Sequence, residues 1–116
     1  MEIELDGRNL SMEELLLVAT GVADAIISET AKVGIEAATK TVEGIIERGE
    51  VAYGINTGFG ALCNTSIDSS KLGELQANLV RSHACGIGEA MEVVPVRAMM
   101  CARANSLCRG NSGIRI

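Results

Sequence analysis

The stretch SETAKVGIEAATKTVEGIIERG, residues 28–49, decides the fold class, because it has the periodicity of an amphipathic helix. Its apolar residues recur at spacings of three and four, which places them on one face of a helix. These residues are Ala31, Ile35, Ala38, Val42 and Ile45. Ser28 is a candidate N-cap, and Gly49, after Arg48, is a typical C-terminal stop. The stretch therefore predicts one long helix that packs one face against a core.

On the N-terminal side of this helix the sequence predicts a strand and a second helix. Residues 2–5 alternate between polar and apolar side chains, which is typical of a short strand. Ser11, followed by Glu14 three residues later, has the capping-box pattern of a helix start. Gly21 is a plausible end for that helix. Residues 22–27 are interpreted as a short helix or an irregular link.

On the C-terminal side of this helix the sequence becomes rich in small and polar residues. Residues 51–53 predict a short strand, followed by a long shaped loop up to residue 67. Asp68 or Ser69 can then cap another helix, which ends by Gly86 and whose apolar stripe is formed by Leu72, Leu75, Leu79 and Val80. Together with the N-terminal elements, this predicts a mainly α fold of about four helices with one or two short strands.

The last predicted helix is apolar on most of its surface. Pro95 fits its first turn, and Gly110 stops it. Several neighbouring residues leave little room for a polar face: Met99, Met100, Cys101, Ala102 and Ala104. Such a surface favours contact with a partner, so we expect the isolated chain to self-associate or to be poorly soluble.

Composition limits the classes of protein that the chain can represent. Its 116 residues fit a single domain, 1–116, and 47% apolar content argues against disorder. The net charge of −5 argues weakly against nucleic-acid binding. Neither a signal peptide nor an apolar run long enough to span a membrane is visible. Four cysteines without C-x-x-C spacing favour reduced thiols in a cytoplasmic protein rather than a metal site.

Three short segments are candidates for chemistry. YGINTGFG, residues 53–60, puts a phenol beside glycines that allow close approach to a ligand, but it lacks the nucleotide-binding glycine patterns. Ser82-His83 falls at the end of a predicted helix, and RANSLCRGNSG, residues 103–113, falls at the end of the last one. Taken alone, each segment is also compatible with a structural role: a packed loop, a histidine favoured by the helix dipole, and a helix end with its turn.

Taken together, these segments resemble the N-terminal region of histidine ammonia-lyases, in a family that includes phenylalanine and tyrosine ammonia-lyases and related aminomutases. The resemblance is carried by YGINTGFG, by LQANLVRSHACGIGE at residues 75–89 and by VRAMMCARANSLCRGNSGIR at residues 96–115. LDGRNLSMEELL, residues 5–16, extends it to the family's opening turn and helix. The match covers nearly the whole chain in the right order, and it implies a small helical N-terminal domain with a glycine-rich active-site loop.

The resemblance also implies roles for individual residues. Tyr53 occupies the position of the catalytic base that removes the substrate's β-proton, a role that needs its anion stabilised by neighbours. Ser82 and His83 fall where the family reads the substrate side chain, and Ser-His is similar to the histidine type. Some tyrosine aminomutases carry the same pair, so that substrate stays open. Gly60 corresponds to a position lining the pocket, while Asn56 and Thr57 are expected to shape the loop; no metal is implied.

The family's electrophile, 4-methylidene-imidazol-5-one, forms from an Ala-Ser-Gly stretch that this sequence does not contain. Its one Ser-Gly pair, Ser112-Gly113, follows Asn111. The resemblance therefore implies that the electrophile lies on a missing part or on a larger partner chain of an oligomer, and that this chain alone has no turnover. Two alternatives remain open: a tyrosine lyase or aminomutase, and a non-catalytic binding or regulatory homologue.

Overall fold

The computed structural model describes residues 1–60, 63 and 65–116. The elements follow in the order β1 (Glu2–Leu5), α1 (Met12–Ala19), β2 (Asp24–Ile27), α2 (Glu29–Glu47), a 3-10 turn (Ser69–Lys71), α3 (Leu72–His83) and α4 (Val93–Leu107). They divide into two compact units, residues 1–41 with 90–116 and residues 42–89. The predicted mainly α class with one or two short strands is confirmed. Within the described part, no helix is both long and apolar enough to cross a membrane.

The two strands form a parallel pair. β1 aligns with β2 in a register that runs from Glu2 opposite Asp24 to Leu5 opposite Ile27. The interpretation of residues 22–27 as a helix or irregular link was therefore wrong. Parallel strands need a crossover connection, and α1 provides it. The local sequence of β2 is too short to reveal a strand without the partner that completes its hydrogen bonds.

The second strand that the sequence predicts, at residues 51–53, is also absent from the structure. The carbonyl of Ala52 accepts hydrogen bonds from the N–H groups of Ile55 and Asn56, at 3.1 and 3.2 Å. Those bonds make a turn, which satisfies the backbone locally instead of through a neighbouring strand. Positions 61, 62 and 64 of the predicted loop lie outside the described residues.

The core of the first unit lies between the strands and the helices. Ile3 and Leu5 alternate with exposed glutamates along β1, as the sequence predicts. Their buried partners come from each helix of the unit: Val18, Ala23, Ala31, Ile35, Cys101 and Cys108. Cys101, which the sequence assigns to a partner-seeking surface, is thus buried inside the unit. Met99 and Met100 remain exposed as predicted.

Helix α1 is fixed at both ends by polar contacts. At its start the Ser11 hydroxyl accepts from the Glu14 N–H at 3.2 Å, and the Glu14 carboxylate accepts from the Ser11 N–H at 2.8 Å. This confirms the predicted capping box. At its end the Arg97 guanidinium donates to the carbonyls of Val18 at 2.8 Å and Ala19 at 3.1 Å. Because α1 has no basic residue in its last turn, α4 supplies the cation that suits a helix C-terminus.

The second unit contains α3 and the loop before it. The Asp68 carboxylate accepts from the Ser70 N–H at 2.9 Å and starts the 3-10 turn that leads into α3, as predicted. Leu72, Leu75 and Leu79 are half-buried, but Val80 is exposed. Val80 therefore does not belong to the buried stripe, because it lies one position beyond the face that Leu72, Leu75 and Leu79 share.

Candidate active site

The loop that carries Tyr53 turns sharply. Ala52 accepts from both Ile55 and Asn56, so the chain reverses directly after the tyrosine. Gly54 occupies the left-handed region with φ +80°, which a residue with a side chain rarely adopts. The glycine after Tyr53 is therefore required by the turn. Its predicted role as part of a shaped loop is confirmed.

Tyr53 is exposed, whereas the residues that follow it are buried. Its side chain keeps 68% of its surface accessible, while Asn56 keeps 6% and Thr57 none. The Tyr53 ring meets the Phe59 ring edge to face, with centroids 6.0 Å apart and planes at 74°. An aromatic pair of this geometry is favourable. The loop thus presents a phenol at the surface directly before a group of buried residues.

The base of the loop closes against the segment before α3. The N–H of Gly58 donates to the carbonyl of Thr65 at 3.1 Å, and the N–H of Ile67 donates to the carbonyl of Asn56 at 2.8 Å. Thr57 and Ser66 form an isolated antiparallel bridge between these bonds. These contacts connect the loop to the start of α3, which carries the second candidate segment.

Ser82 and His83 lie in the last turn of α3 and share one acceptor. The carbonyl of Leu79 lies 2.8 Å from both the Ser82 hydroxyl and His83 Nδ1, and the two side chains are 3.1 Å apart. A carbonyl can only accept, so Nδ1 carries the hydrogen. In the neutral ring Nε2 then holds a lone pair. The geometry therefore presents His83 as a hydrogen-bond acceptor at Nε2.

His83 also lines a wide-open surface pocket of about 510 Å³ together with Leu79, Val80 and Ala84. The lining is mostly apolar, with the imidazole as its polar member. A molecule at this open surface would meet the imidazole as a hydrogen-bonding group among apolar side chains. Exposed Val80 is part of this surface.

The structure brings the four candidate residues, Tyr53, Gly60, Ser82 and His83, into the unit formed by residues 42–89. Within it they form two local pairs. Gly60, with φ +57°, directly follows Phe59, whose ring contacts Tyr53. The side chains of Ser82 and His83 lie 3.1 Å apart. Among the described residues, no three His, Cys, Asp or Glu side chains are grouped closely enough to hold a metal ion.

The third candidate segment, residues 103–113, has the structural role that the sequence also allowed. α4 ends at Leu107, and Cys108 is buried. The Asn105 side-chain oxygen accepts from the Gly7 N–H at 2.9 Å, which ties α4 to the turn after β1. The local sequence gives no sign of these contacts of Asn105 and Arg97, since their partners lie more than 70 positions away.

The family model described as aromatic amino acid lyase matches residues 10–116. The chain belongs to this family. The histidine ammonia-lyase of Clostridium tetani (strain Massachusetts / E88) is 46% identical over 115 residues, which cover 99% of this chain and 22% of that relative. This lyase-family chain thus spans about a fifth of the length of the curated relatives that it matches.

Solved structures of lyases and aminomutases have the same fold over this region. The tyrosine aminomutase of Streptomyces globisporus superposes with a TM-score of 0.92 at 34% identity, over 99% of this chain and 22% of that one. The histidine ammonia-lyase of Trypanosoma cruzi superposes with a TM-score of 0.91 at 38% identity, over 100% of this chain and 23% of that one.

The residues present do not form the family's methylidene-imidazolone electrophile. The group requires Ala-Ser-Gly, and Ser112-Gly113 follows Asn111. Ser112 is exposed, and Gly113 is half-buried beside an exposed Ile114.

Proposed function

We propose that this chain is the base-carrying N-terminal part of a histidine ammonia-lyase, as a small subunit or as a piece of a longer polypeptide. The reaction would be the non-oxidative deamination of L-histidine to urocanate and ammonia. The observation that carries the proposal is the exposed Tyr53 phenol on a loop whose following residues are buried. The identity of 46% to a histidine ammonia-lyase over 115 residues supports the choice of reaction.

In this proposal Tyr53 acts as the general base. Its phenolate oxygen takes the proton from the substrate's β-carbon, and the C–H electron pair becomes the new double bond. The C–N bond breaks, and its electrons leave with ammonia. The fixed turn at Gly54 and the contact with Phe59 restrict where the phenol can lie. A base held at one place removes a proton faster than a mobile one.

His83 would bind the substrate side chain. Ser82 would hold the His83 ring in place. Because Nδ1 donates to the Leu79 carbonyl, Nε2 can accept a hydrogen bond from an imidazole N–H. Ser82 donates to the same carbonyl and keeps the ring in that orientation. Gly60 would leave room for the substrate beside the Tyr53 loop, since it carries no side chain.

The partner in this proposal is the electrophile-bearing part of a lyase, whether a larger chain or the remainder of the same one. Helix α4 has apolar side chains exposed beside the ones it buries: Val93 at 71%, Met99 at 53% and Met100 at 67%. Exposed apolar side chains of this size are typical of a surface that another part of a protein covers. Relatives more than four times as long contain the additional chain that would cover this face.

A cytoplasmic location is part of the same proposal. Cys63, Cys85, Cys101 and Cys108 are free thiols, including one that is exposed. Free thiols persist in a reducing compartment. No nucleic acid or membrane enters the proposed function.

A tyrosine lyase or aminomutase is the second candidate. It is favoured by the superposition on the tyrosine aminomutase of Streptomyces globisporus with a TM-score of 0.92. A His83 acceptor would bind a phenol O–H as well as an imidazole N–H. The choice therefore depends on what the assembled enzyme turns over.

The test is to purify the native protein from its source cells, measure its mass and assay it with histidine and tyrosine. We expect a species larger than 12.1 kDa that contains these residues with an Ala-Ser-Gly sequence and releases ammonia from histidine. Turnover of tyrosine alone would replace histidine with tyrosine as the substrate. A free 12.1 kDa chain or a homo-oligomer without activity would favour a non-catalytic binding or regulatory homologue.

A further inference from the structure

Asn56 makes four hydrogen bonds to backbone groups on either side of the Tyr53 turn. Its side-chain oxygen accepts from the Ala52 N–H at 2.9 Å, and its side-chain nitrogen donates to the Glu50 carbonyl at 2.7 Å. Its own N–H donates to the Ala52 carbonyl, and its carbonyl accepts from Ile67. Asn56 is 6% exposed. One buried residue therefore connects the chain before Tyr53 to the chain after it.

We propose that Asn56 is the positioning residue for the Tyr53 base, through the clamp that its amide makes on Ala52 and Glu50. This inference rests on the proposed function, because it takes Tyr53 to be the base. Asn56 touches neither substrate nor reacting atoms in this proposal. It fixes the backbone on the N-terminal side of Tyr53, while Gly54 sets the turn on the other side.

The clamp needs an asparagine because it uses a donor and an acceptor on one short, planar group. Aspartate would keep the acceptor for the Ala52 N–H and place an oxygen against the Glu50 carbonyl. Alanine would leave both backbone groups without this partner in a partly buried site. Leaving a buried polar group unpaired is more costly than losing an exposed hydrogen bond. The Tyr53 backbone is therefore the part of the loop most directly released by substitution at Asn56.

The expected change can be measured on this chain without any assay of activity. Amide hydrogen exchange, followed by NMR, reports on the Ala52 N–H, and the ring signals of Tyr53 are unambiguous because it is the only tyrosine. Asn56→Ala is expected to speed exchange at Ala52 about tenfold or more and to shift the Tyr53 ring signals. Asn56→Asp, which keeps the acceptor, is expected to protect Ala52 better than Asn56→Ala does.

Asn78→Ala is the matched control, since Asn78 is an exposed asparagine of α3 whose side chain accepts from Arg81 at 3.1 Å. It is expected to leave Ala52 exchange and the Tyr53 signals unchanged. If Asn56→Ala also leaves the Ala52 exchange rate and the Tyr53 signals unchanged, the proposed role of Asn56 is wrong. Asn56→Asp keeps the test decisive if Asn56→Ala does not fold, because it removes the donor to the Glu50 carbonyl, and Tyr53 ring signals that stay unshifted in Asn56→Asp also contradict the proposed role.

The second measurement uses the assembled enzyme and separates kcat from KM. Misplacement of a base lowers kcat, and we expect Asn56→Ala to lower it about ten- to a hundredfold. KM should change less than about threefold, since substrate binding is left intact. Unchanged kcat in Asn56→Ala, with Tyr53→Phe inactive, overturns the positioning role alone. Full activity in Tyr53→Phe would overturn the base and the positioning role together.

Discussion

The backbone of Gly110 lies directly against the backbone of Gly34. A Cβ built on Gly110 would come within 2.6 Å of the Gly34 carbonyl carbon and 2.7 Å of its oxygen. Gly110 also has φ +70°, in the left-handed region. The chain after α4 can therefore approach α2 this closely only because Gly110 lacks a side chain, whereas a Cβ built on Gly34 would stay 3.9 Å from the Gly110 Cα.

Substitution of Gly110 by alanine should destabilise the chain through two effects, a strained φ and a backbone clash. Gly49, with φ +65° and no atom within 4 Å of the place where a Cβ would lie, carries only the first effect. We expect Gly49→Ala to lower the free energy of unfolding by about 1–2 kcal/mol. Gly110→Ala should lower it clearly more, as measured by urea unfolding. Equal losses in the two variants would contradict the close approach.

Acid should weaken the N-terminal turn and the start of α1. The backbone N–H groups of Asn9 and Arg8 donate hydrogen bonds to Asp6 and lower its pKa below the usual 3.8. The backbone N–H of Ser11 donates to Glu14 and lowers its pKa below the usual 4.5. Because both folded-state pKa values are depressed, the two carboxylates stabilise the fold above these usual values. That stability is lost as pH falls through the lower, folded-state values.

The measurement for this pH effect is the melting temperature at neutral pH and at a pH below 3.8. The double variant Asp6→Asn, Glu14→Gln keeps side-chain acceptors at both positions but cannot titrate. Its melting temperature should fall less with acid than that of the wild type. An identical fall in both proteins would rule out these two groups as the source.

The four thiols should differ in reactivity. Cys85 is exposed, whereas Cys101 and Cys108 are buried in the core, and burial raises the pKa of both buried thiols. A thiol that is both protonated and covered reacts slowly, because the thiolate is the nucleophile. Maleimide labelling followed by mass spectrometry should modify Cys85 first and the two core thiols only after unfolding by urea. Early labelling of Cys101 in the native chain would contradict its place in the core.

Substitution of His83 should affect substrate binding more than folding, since the side chain is exposed. In the assembled enzyme we expect His83→Leu to raise KM for histidine about tenfold, the value of one hydrogen bond. Ser82→Ala keeps the contact between His83 and the Leu79 carbonyl and should have a smaller effect. Thermal unfolding serves as the control for stability. An unchanged KM in His83→Leu would remove His83 from the site.

Much of this fold could be predicted from local sequence patterns. The helix at α2 follows from periodicity, and the start of α1 follows from Ser11 and Glu14. These features depend on residues three or four apart, which lie next to each other in a helix. Strand β2 could not be predicted in the same way, since its partner β1 lies about 20 positions earlier.

The candidate site shows the same division. The family resemblance singled out Tyr53 and His83, but it did not reveal what holds them. The tautomer of His83 depends on a carbonyl one turn earlier, and the backbone directly before Tyr53 is bonded to the side chain of Asn56. Sequence assigned Asn56 only a general role in shaping the loop. Hydrogen-bond partners that depend on a turn become known only when its backbone is described.

We propose that this chain supplies a tyrosine base to an electrophile-bearing lyase polypeptide. The most direct test mixes the chain with the part of the Clostridium tetani histidine ammonia-lyase that follows the matched 22%, and follows urocanate formation from histidine. We predict that activity requires both polypeptides and is lost with Tyr53→Phe. A mixture that forms a complex yet gives no urocanate, or gives as much with Tyr53→Phe, would contradict the claim.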